Sequence, residues 1–155
     1  VQTTPSSMHS FFALSSHLAD EPFCLTTVDT IFRESDFRAY LDYFAQSDAD
    51  GVMGVTDFVD DEKPLYVATN ESLDITAFLD ASASCKFISG GIYGLTAPAL
   101  KTLQRCMAEG QSRMRNYQRG LIADGLRLKA FPFSKILDVD HASDIQKALD
   151  FLKDN

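Results

Sequence analysis

The sequence predicts an α/β domain: a Rossmann-like three-layer sandwich on a mixed, mostly parallel sheet, with the first β-α unit missing. Three observations carry this. Segments with helical spacing of apolar residues alternate with short β-branched and aromatic runs, the pattern of strands joined by covering helices. One pair of such runs is separated only by the polar turn "NES", which inserts a hairpin into the alternation. The chain has 155 residues and is 45% hydrophobic, which suits a single domain, 1–155, with its own core.

Thr4-Pro5-Ser6 starts the first helix, with Thr4 as cap and Pro5 in the first turn. It runs to about Ala19, with Met8, Phe11, Phe12, Ser15 and Leu18 on one face. Pro22 ends it, Phe23–Val28 follows as a buried strand, and Asp29 stands at its end. Ser35 caps a second helix whose inward stripe is Phe37, Tyr40, Leu41 and Phe44. "SDADG" turns the chain into a β-like run, Val52–Val59, and "DDEKP" punctuates it. Leu65–Ala68 and Ile75–Leu79 form the hairpin, and Phe87–Tyr93 is a strand interrupted by Gly90-Gly91. Thr96 caps a third helix to about Glu109, with Leu100, Leu103 and Met107 inward. A fourth helix covers about 112–124, and Gly125 fits its C′ position. Leu126–Val139 is extended with a break at Pro132, and a last helix, about 142–152, turns Ile145, Ala148, Leu149 and Leu152 inward.

Composition narrows the function. A net charge of -8 repels phosphate backbones and argues against a general nucleic-acid binder. Cys24, Cys85 and Cys106 form no CxxC pair, sit in apolar runs and read as buried free thiols of a reducing compartment. No apolar run is long enough for a membrane span, and no leader-like stretch opens the chain. The expectation is a cytoplasmic protein. The chain begins without Met, in mid-phrase at "VQTTPSS", which suggests a fragment.

Acidic strand ends carry the chemistry. "FCLTTVDT" delivers Asp29 and "KILDVDHASD" delivers Asp138, Asp140 and Asp144. In an extended segment Asp138 and Asp140 share a face. Carboxylates converging on one crevice make a hard oxygen site suited to Mg²⁺, which serves phosphate chemistry. Asp140 also fits as the cap of the last helix, and Asp29 as a turn aspartate. Gln46–Asp57 partly matches a calcium-binding EF-hand loop, but Gln46 holds its first position and a strand-like run follows, so it reads as a turn. "DVDHA" lies too near the chain's end for a phosphatase DxD motif, and no GxSxG elbow occurs.

"EPFCLTTVDTIF" (21–32) resembles the strand that carries the metal-binding aspartate in GT-A-like nucleotidyltransferases: the NDP-sugar pyrophosphorylases and the sugar-phosphate and alcohol-phosphate cytidylyltransferases. Val28 stands where Gly is commoner in that family. "SGGIYGLTAPAL" (89–100) resembles the family's "GIY" strand and following helix, and "TPSSMHSFFALSSHL" (4–18) the helix before the metal strand. "ILDVDHASDIQKALDFL" (136–152) resembles its closing "DVDTxxD" segment, with His141 in place of Thr. The resemblance covers nearly the whole chain and roughly the C-terminal two-thirds of such a domain.

It implies Mg²⁺-dependent nucleotidyl transfer, in which a phosphorylated sugar or alcohol attacks the α-phosphate of an NTP and releases pyrophosphate. Asp29 would bind Mg²⁺, with Asp138 and Asp140 completing or supporting the site. Gly90 and Gly91 would let a ligand approach the backbone, although a β-bulge also explains them. Lys135 or Lys86 would meet a phosphate, although lone lysines are commonly solvated. The family's opening Gly-rich triphosphate loop has no counterpart: the first glycine is Gly51, and no Arg or Lys precedes Arg33. Impaired NTP binding and open sheet edges follow, with a homodimer as one consequence. The alternative is a non-catalytic binding or assembly module derived from the same fold.

Overall fold

The computed structural model describes residues 3–18, 20–59, 63–81 and 84–153. In chain order the elements are α1 (Ser7–Ser15), β1 (Phe23–Thr26), β2 (Thr30–Phe32), α2 (Glu34–Gln46), β3 (Gly51–Thr56), β4 (Tyr66–Thr69) and β5 (Ile75–Leu79). They continue with β6 (Phe87–Leu95), α3 (Ala97–Ala108), α4 (Met114–Ala123), β7 (Leu128–Pro132), β8 (Ile136–Asp138) and α5 (Asp144–Lys153).

The main sheet runs β5-β4-β6-β3-β7, and β1 also pairs with β6. β6 organises it. Phe87 and Ile88 pair with β4, Ile92 to Leu95 pair with β1, and β3 lies along the strand's other edge. β3, "GVMGVT", is buried at every position, which is why it lacks polar alternation. β2 and β8 form a separate antiparallel pair that sets Thr30 opposite Asp138.

Two clusters fill the space on the sheet. In one, Met8 and Phe11 of α1, Leu103 of α3 and Tyr117 and Leu121 of α4 meet Met53, Tyr93 and Leu95. In the other, Tyr40 of α2 meets Val52, Ile92, Phe133 and Ile136. Tyr40 is fully buried, and its hydroxyl donates to the Val52 carbonyl at 2.8 Å. Each such side chain, fully buried, contributes roughly 1.5–3 kcal/mol by leaving water.

The mixed α/β architecture stands as expected, and so does the hairpin, with β4 antiparallel to β5. The sheet is not mostly parallel, however. Among the described strands only β3 and β7 pair in parallel. A parallel pair needs a long crossover, whereas the hairpin and the insertion of β6 between its neighbours produce antiparallel ladders.

Local details also shift. α1 starts later than expected, because Ser6 is the cap and accepts from His9 N–H. It ends at Ser15, and Ala19 lies outside the described residues, as do 60–62 of "DDEKP". α2 has Arg33, not Ser35, at its cap position. Gly125, at φ 75°, takes the C′ position of α4 as expected. α5 buries Ala148 and Phe151, while Ile145, Leu149 and Leu152 stay about half exposed at 52%, 50% and 47%. Of the three thiols only Cys106 is buried; Cys24 is exposed and Cys85 half-buried. No helix among the described residues is long and apolar enough to cross a membrane.

Candidate functional site

The site begins where β1 gives out. The sequence suggested a buried strand running to Val28, but the strand stops at Thr26 and Val28 and Asp29 form an exposed turn. Val28 is wholly solvated, as a turn tip allows. Asp29 is thus a turn carboxylate, which removes the cost of burying its charge.

Hydroxyls tie the turn to the distant β8 strand. Thr27 N–H donates to the Gly91 carbonyl at 3.1 Å. The Thr27 and Thr30 hydroxyls hydrogen-bond to each other, and Thr30 Oγ1 donates to Asp138 Oδ1 at 3.0 Å. Val139 N–H closes the link by donating to the Asp29 carbonyl at 2.9 Å. Asp29 and Asp138 therefore line one cleft of about 430 Å³.

The same cleft is lined by Lys63, Arg113 and Arg115, which the sequence reading did not select. Arg113 occupies the cap position of α4 and Arg115 its first turn, which holds no acidic residue. Cations there oppose the helix dipole, whose N-terminus favours anions. Arg115 is held in place: Nη1 pairs with Asp80 at 2.7 Å and Nη2 donates to the Lys63 carbonyl at 3.2 Å. Arg119 adds a second pairing to Asp80 at 2.8 Å, and the two guanidiniums, Arg119's first, hold the Asp80 carboxyl below its usual range. Arg113 makes no side-chain hydrogen bond or ion pair among the described residues. The signal available in the sequence was "SRMRNYQR", an arginine cluster in a strongly acidic chain.

Ser89, Tyr93 and Gln118 also line the cleft. Ser89 Oγ donates to Gln118 Oε1 at 3.2 Å. Tyr93 is 4% exposed, and its phenol is pushed up to about 12, chiefly by burial and further by the charges of Asp138 and Asp29, with a hydrogen bond to Ser89 opposing.

A neighbouring cavity of about 330 Å³ holds Asp140, His141, Asp144 and Lys147, and shares Asp138 and Ser89 with the first. The three expected metal carboxylates are therefore divided. Asp29 and Asp138 meet in one cleft, Asp138 and Asp140 in the other. No group of three His, Cys, Asp or Glu side chains converges as an ion site among the described residues. Asp140 is not the helix cap either. Asp144, the first residue of α5, instead reaches back before the helix: its Oδ2 accepts from His141 N–H at 3.0 Å, and this bond holds its carboxyl below the usual range.

The remaining candidates lie around these two cavities or beside them. Gly90 and Gly91 are a bulge: Gly54 pairs with Ile92 and Val55 with Ser89, so both glycines are extra on β6. A Cβ on Gly90 would lie 2.2 Å from Ile136 Cδ1, and one on Gly91 2.7 Å from Thr27 Oγ1. Gly91 still lines the main cleft and Gly90 the neighbouring cavity. Lys135 lines neither cavity; its Nζ sits 4.3 Å from the Phe58 ring and 5.6 Å from that of Phe151, a cation–π position. Lys86 lies over Phe87. In the segment with the partial EF-hand match, Asp50 Oδ2 accepts from Arg127 N–H at 2.7 Å and Asp48 pairs with Arg127, so the loop is a structural turn.

The donor set of the main cleft fits a hard divalent cation. Asp29 and Asp138 supply two carboxylates without thiol or imidazole, and Mg²⁺ is commonly held by one or two carboxylates with water and phosphate oxygens.

No protein-family model and no curated protein matches the sequence. Solved structures do match. The inositol-1-phosphate CTP transferase from T. maritima superposes with a TM-score of 0.79 at 19% identity, over 97% of this chain and 63% of that one. A protein assigned as a glucose-1-phosphate thymidylyltransferase, from Bacillus anthracis and solved with a sucrose, gives 0.82 at 16% identity, over 100% and 64%. The chain spans less than two-thirds of the length of either. Its α/β architecture is that of these proteins: the chain has the sugar-phosphate nucleotidyltransferase fold.

Proposed function

We propose that the cleft binds a phosphorylated sugar or alcohol and serves Mg²⁺-dependent transfer of a nucleotidyl group from an NTP, with release of pyrophosphate. One observation carries the reading. In a chain of net charge -8, the described residues of a single cleft include two carboxylates and three cationic side chains, Lys63, Arg113 and Arg115. A phosphate ester is the ligand that both satisfy, with a metal on the carboxylates and guanidinium on its oxygens.

Asp29 and Asp138 would hold the ion, which when bound neutralises charge on the reacting phosphate. The chain's own residues orient the rest. Thr30 fixes the Asp138 carboxylate, Asp80 fixes Arg115, and Arg113 is left to meet the acceptor phosphate. An acceptor phosphate oxygen forms a bond to the α-phosphorus, and the bond from that phosphorus to the bridging oxygen of the leaving pyrophosphate breaks. The second ionisation of a phosphate monoester lies near 6, so the nucleophile is already an anion at neutral pH. No general base is required, which agrees with a cleft whose lining among the described residues contains no histidine.

The partners in this reading are an NTP and a phosphorylated sugar or alcohol, in the cytoplasm and without nucleic acid. A homodimer belongs to the same proposal, because β1 pairs only with β6 among the described strands and leaves one edge open. The test is Mg²⁺-dependent pyrophosphate release by the protein, across NTPs and phosphorylated acceptors. Acceptor binding without release would favour the non-catalytic module instead.

A further inference from the structure

We propose that Gln118 is the specificity-determining residue of this cleft, selecting a polyhydroxylated phosphate ester over one bearing a quaternary ammonium group. The inference rests on the phosphate-binding reading above and adds the acceptor's class.

Gln118 lies in mid-α4 beside Tyr117 and Leu121, both fully buried, and is itself 2% exposed while lining the cleft. A glutamine amide offers two donors and an acceptor. The acceptor is used, since Oε1 receives the Ser89 hydroxyl. Ser89 is fixed in turn by its N–H bond to the Leu65 carbonyl at 2.9 Å and by its contact with Tyr93. The amide nitrogen has no protein partner among the described residues, yet no described side-chain atom is both buried and unpaired. The Gln118 N–H groups therefore open onto the cleft.

Two aimed donors in a nearly buried frame need acceptor oxygens. A sugar or cyclitol hydroxyl supplies them next to the phosphate that Arg113 meets. A quaternary ammonium supplies none and, with Mg²⁺ on Asp29 and Asp138, would face Lys63, Arg113 and Arg115. Such a group is held by a cage of several aromatic faces. Among the described residues Tyr93 is the only aromatic one in this lining. Rejecting the wrong acceptor thus follows from a buried donor pair left unmatched, which costs about 1–3 kcal/mol, or roughly five- to hundredfold in affinity.

The test is calorimetric titration of the chain, with Mg²⁺, by glucose 1-phosphate, inositol 1-phosphate, phosphocholine and inorganic phosphate. Both polyol phosphates are expected to bind at least about tenfold more tightly than phosphocholine. Gln118→Met, close in volume, should bring them at least about fivefold closer to inorganic phosphate while leaving inorganic phosphate itself unchanged. Ser89→Ala, which frees the amide's orientation, should act in the same direction and serves if the first variant fails to fold. Phosphocholine binding as tightly as the sugar phosphate overturns the inference, as does an equal loss for inorganic phosphate in both variants. Binding of none of the four overturns it together with the phosphate reading. Intact selectivity without pyrophosphate release overturns only the transfer reading.

Discussion

Thr30 donates its hydroxyl to Asp138 across 108 positions of sequence, at 3.0 Å, and so fixes one acid of the cleft from the turn that carries the other. Thr30→Val keeps the shape and removes the donor. The bond is solvent-exposed, so stability should fall by only about 0.5–1.5 kcal/mol. Groups that orient a metal ligand typically govern 10–100-fold in metal affinity or activity. The expected outcome is a loss of roughly tenfold in Mg²⁺ affinity with a melting temperature nearly unchanged.

Gly91→Ala should disturb the same hydroxyls from the opposite side. Gly91 has φ 72°, and an added Cβ would lie 2.7 Å from Thr27 Oγ1 and 2.9 Å from Thr30 Oγ1. Gly110 has a similar φ of 76° with nothing within 4 Å, so Gly110→Ala measures the backbone strain alone. That strain is about 1–2 kcal/mol. Chemical denaturation should show Gly91→Ala losing clearly more than Gly110→Ala.

Gly120 lets α4 approach α3. A Cβ there would lie 2.7 Å from Cys106 Sγ, and Cys106 is 2% exposed. Alanine gains up to about 1 kcal/mol in helix propensity. Overpacking costs about 1–3 kcal/mol, so the net expectation is destabilisation. Adding Cys106→Ala should recover part of the loss, which a double-mutant cycle measures directly.

The fold was legible where local chemistry dictates the chain's path. Asn70 shapes the hairpin turn locally, its Oδ1 accepting from Ser72 N–H at 3.0 Å and Asp74 N–H at 2.9 Å. Gly125 ended α4 for a reason confined to its own backbone. The acids at 29 and 138 were legible because they sit at the ends of apolar runs. Asp140 shares a cavity with Asp138, as the extended reading expected, but does not line the cleft that holds Asp29. The inward face of α5 was read from apolar spacing; docking buries Ala148 as expected but turns Phe151 inward in place of Ile145, Leu149 and Leu152. The cationic wall was missed for a different reason. Arg115 joins the cleft through Asp80, 35 positions away, and Gln118 becomes a buried donor only once α4 packs on the sheet. Lys135 sits over Phe58 and Phe151, a placement that only the folded chain assembles.

Tyr93 reports on both carboxylates. Its phenol is pushed up to about 12 against an ordinary value of 10.0, first by burial and then by Asp138 and Asp29, against the lowering effect of Ser89. The folded state therefore retains this proton to higher pH than the unfolded chain. The stability linked to it is complete below pH 10 and falls as pH rises towards 12. The loss is on the order of 2 kcal/mol. Ultraviolet titration should show Tyr93 ionising late, and Asp138→Asn should lower its pKa without bringing it to the ordinary value.

Mg²⁺-dependent pyrophosphate release by the protein tests the central claim most directly, through three variants measured side by side. Asp29→Asn and Asp138→Asn should each lose at least about a hundredfold, since both carboxylates line the proposed metal cleft. Asp140→Asn, whose side chain lines the neighbouring cavity, should lose less than either. Release retained in Asp29→Asn or Asp138→Asn, or the largest loss in Asp140→Asn, would contradict the assignment of this cleft as the site of transfer.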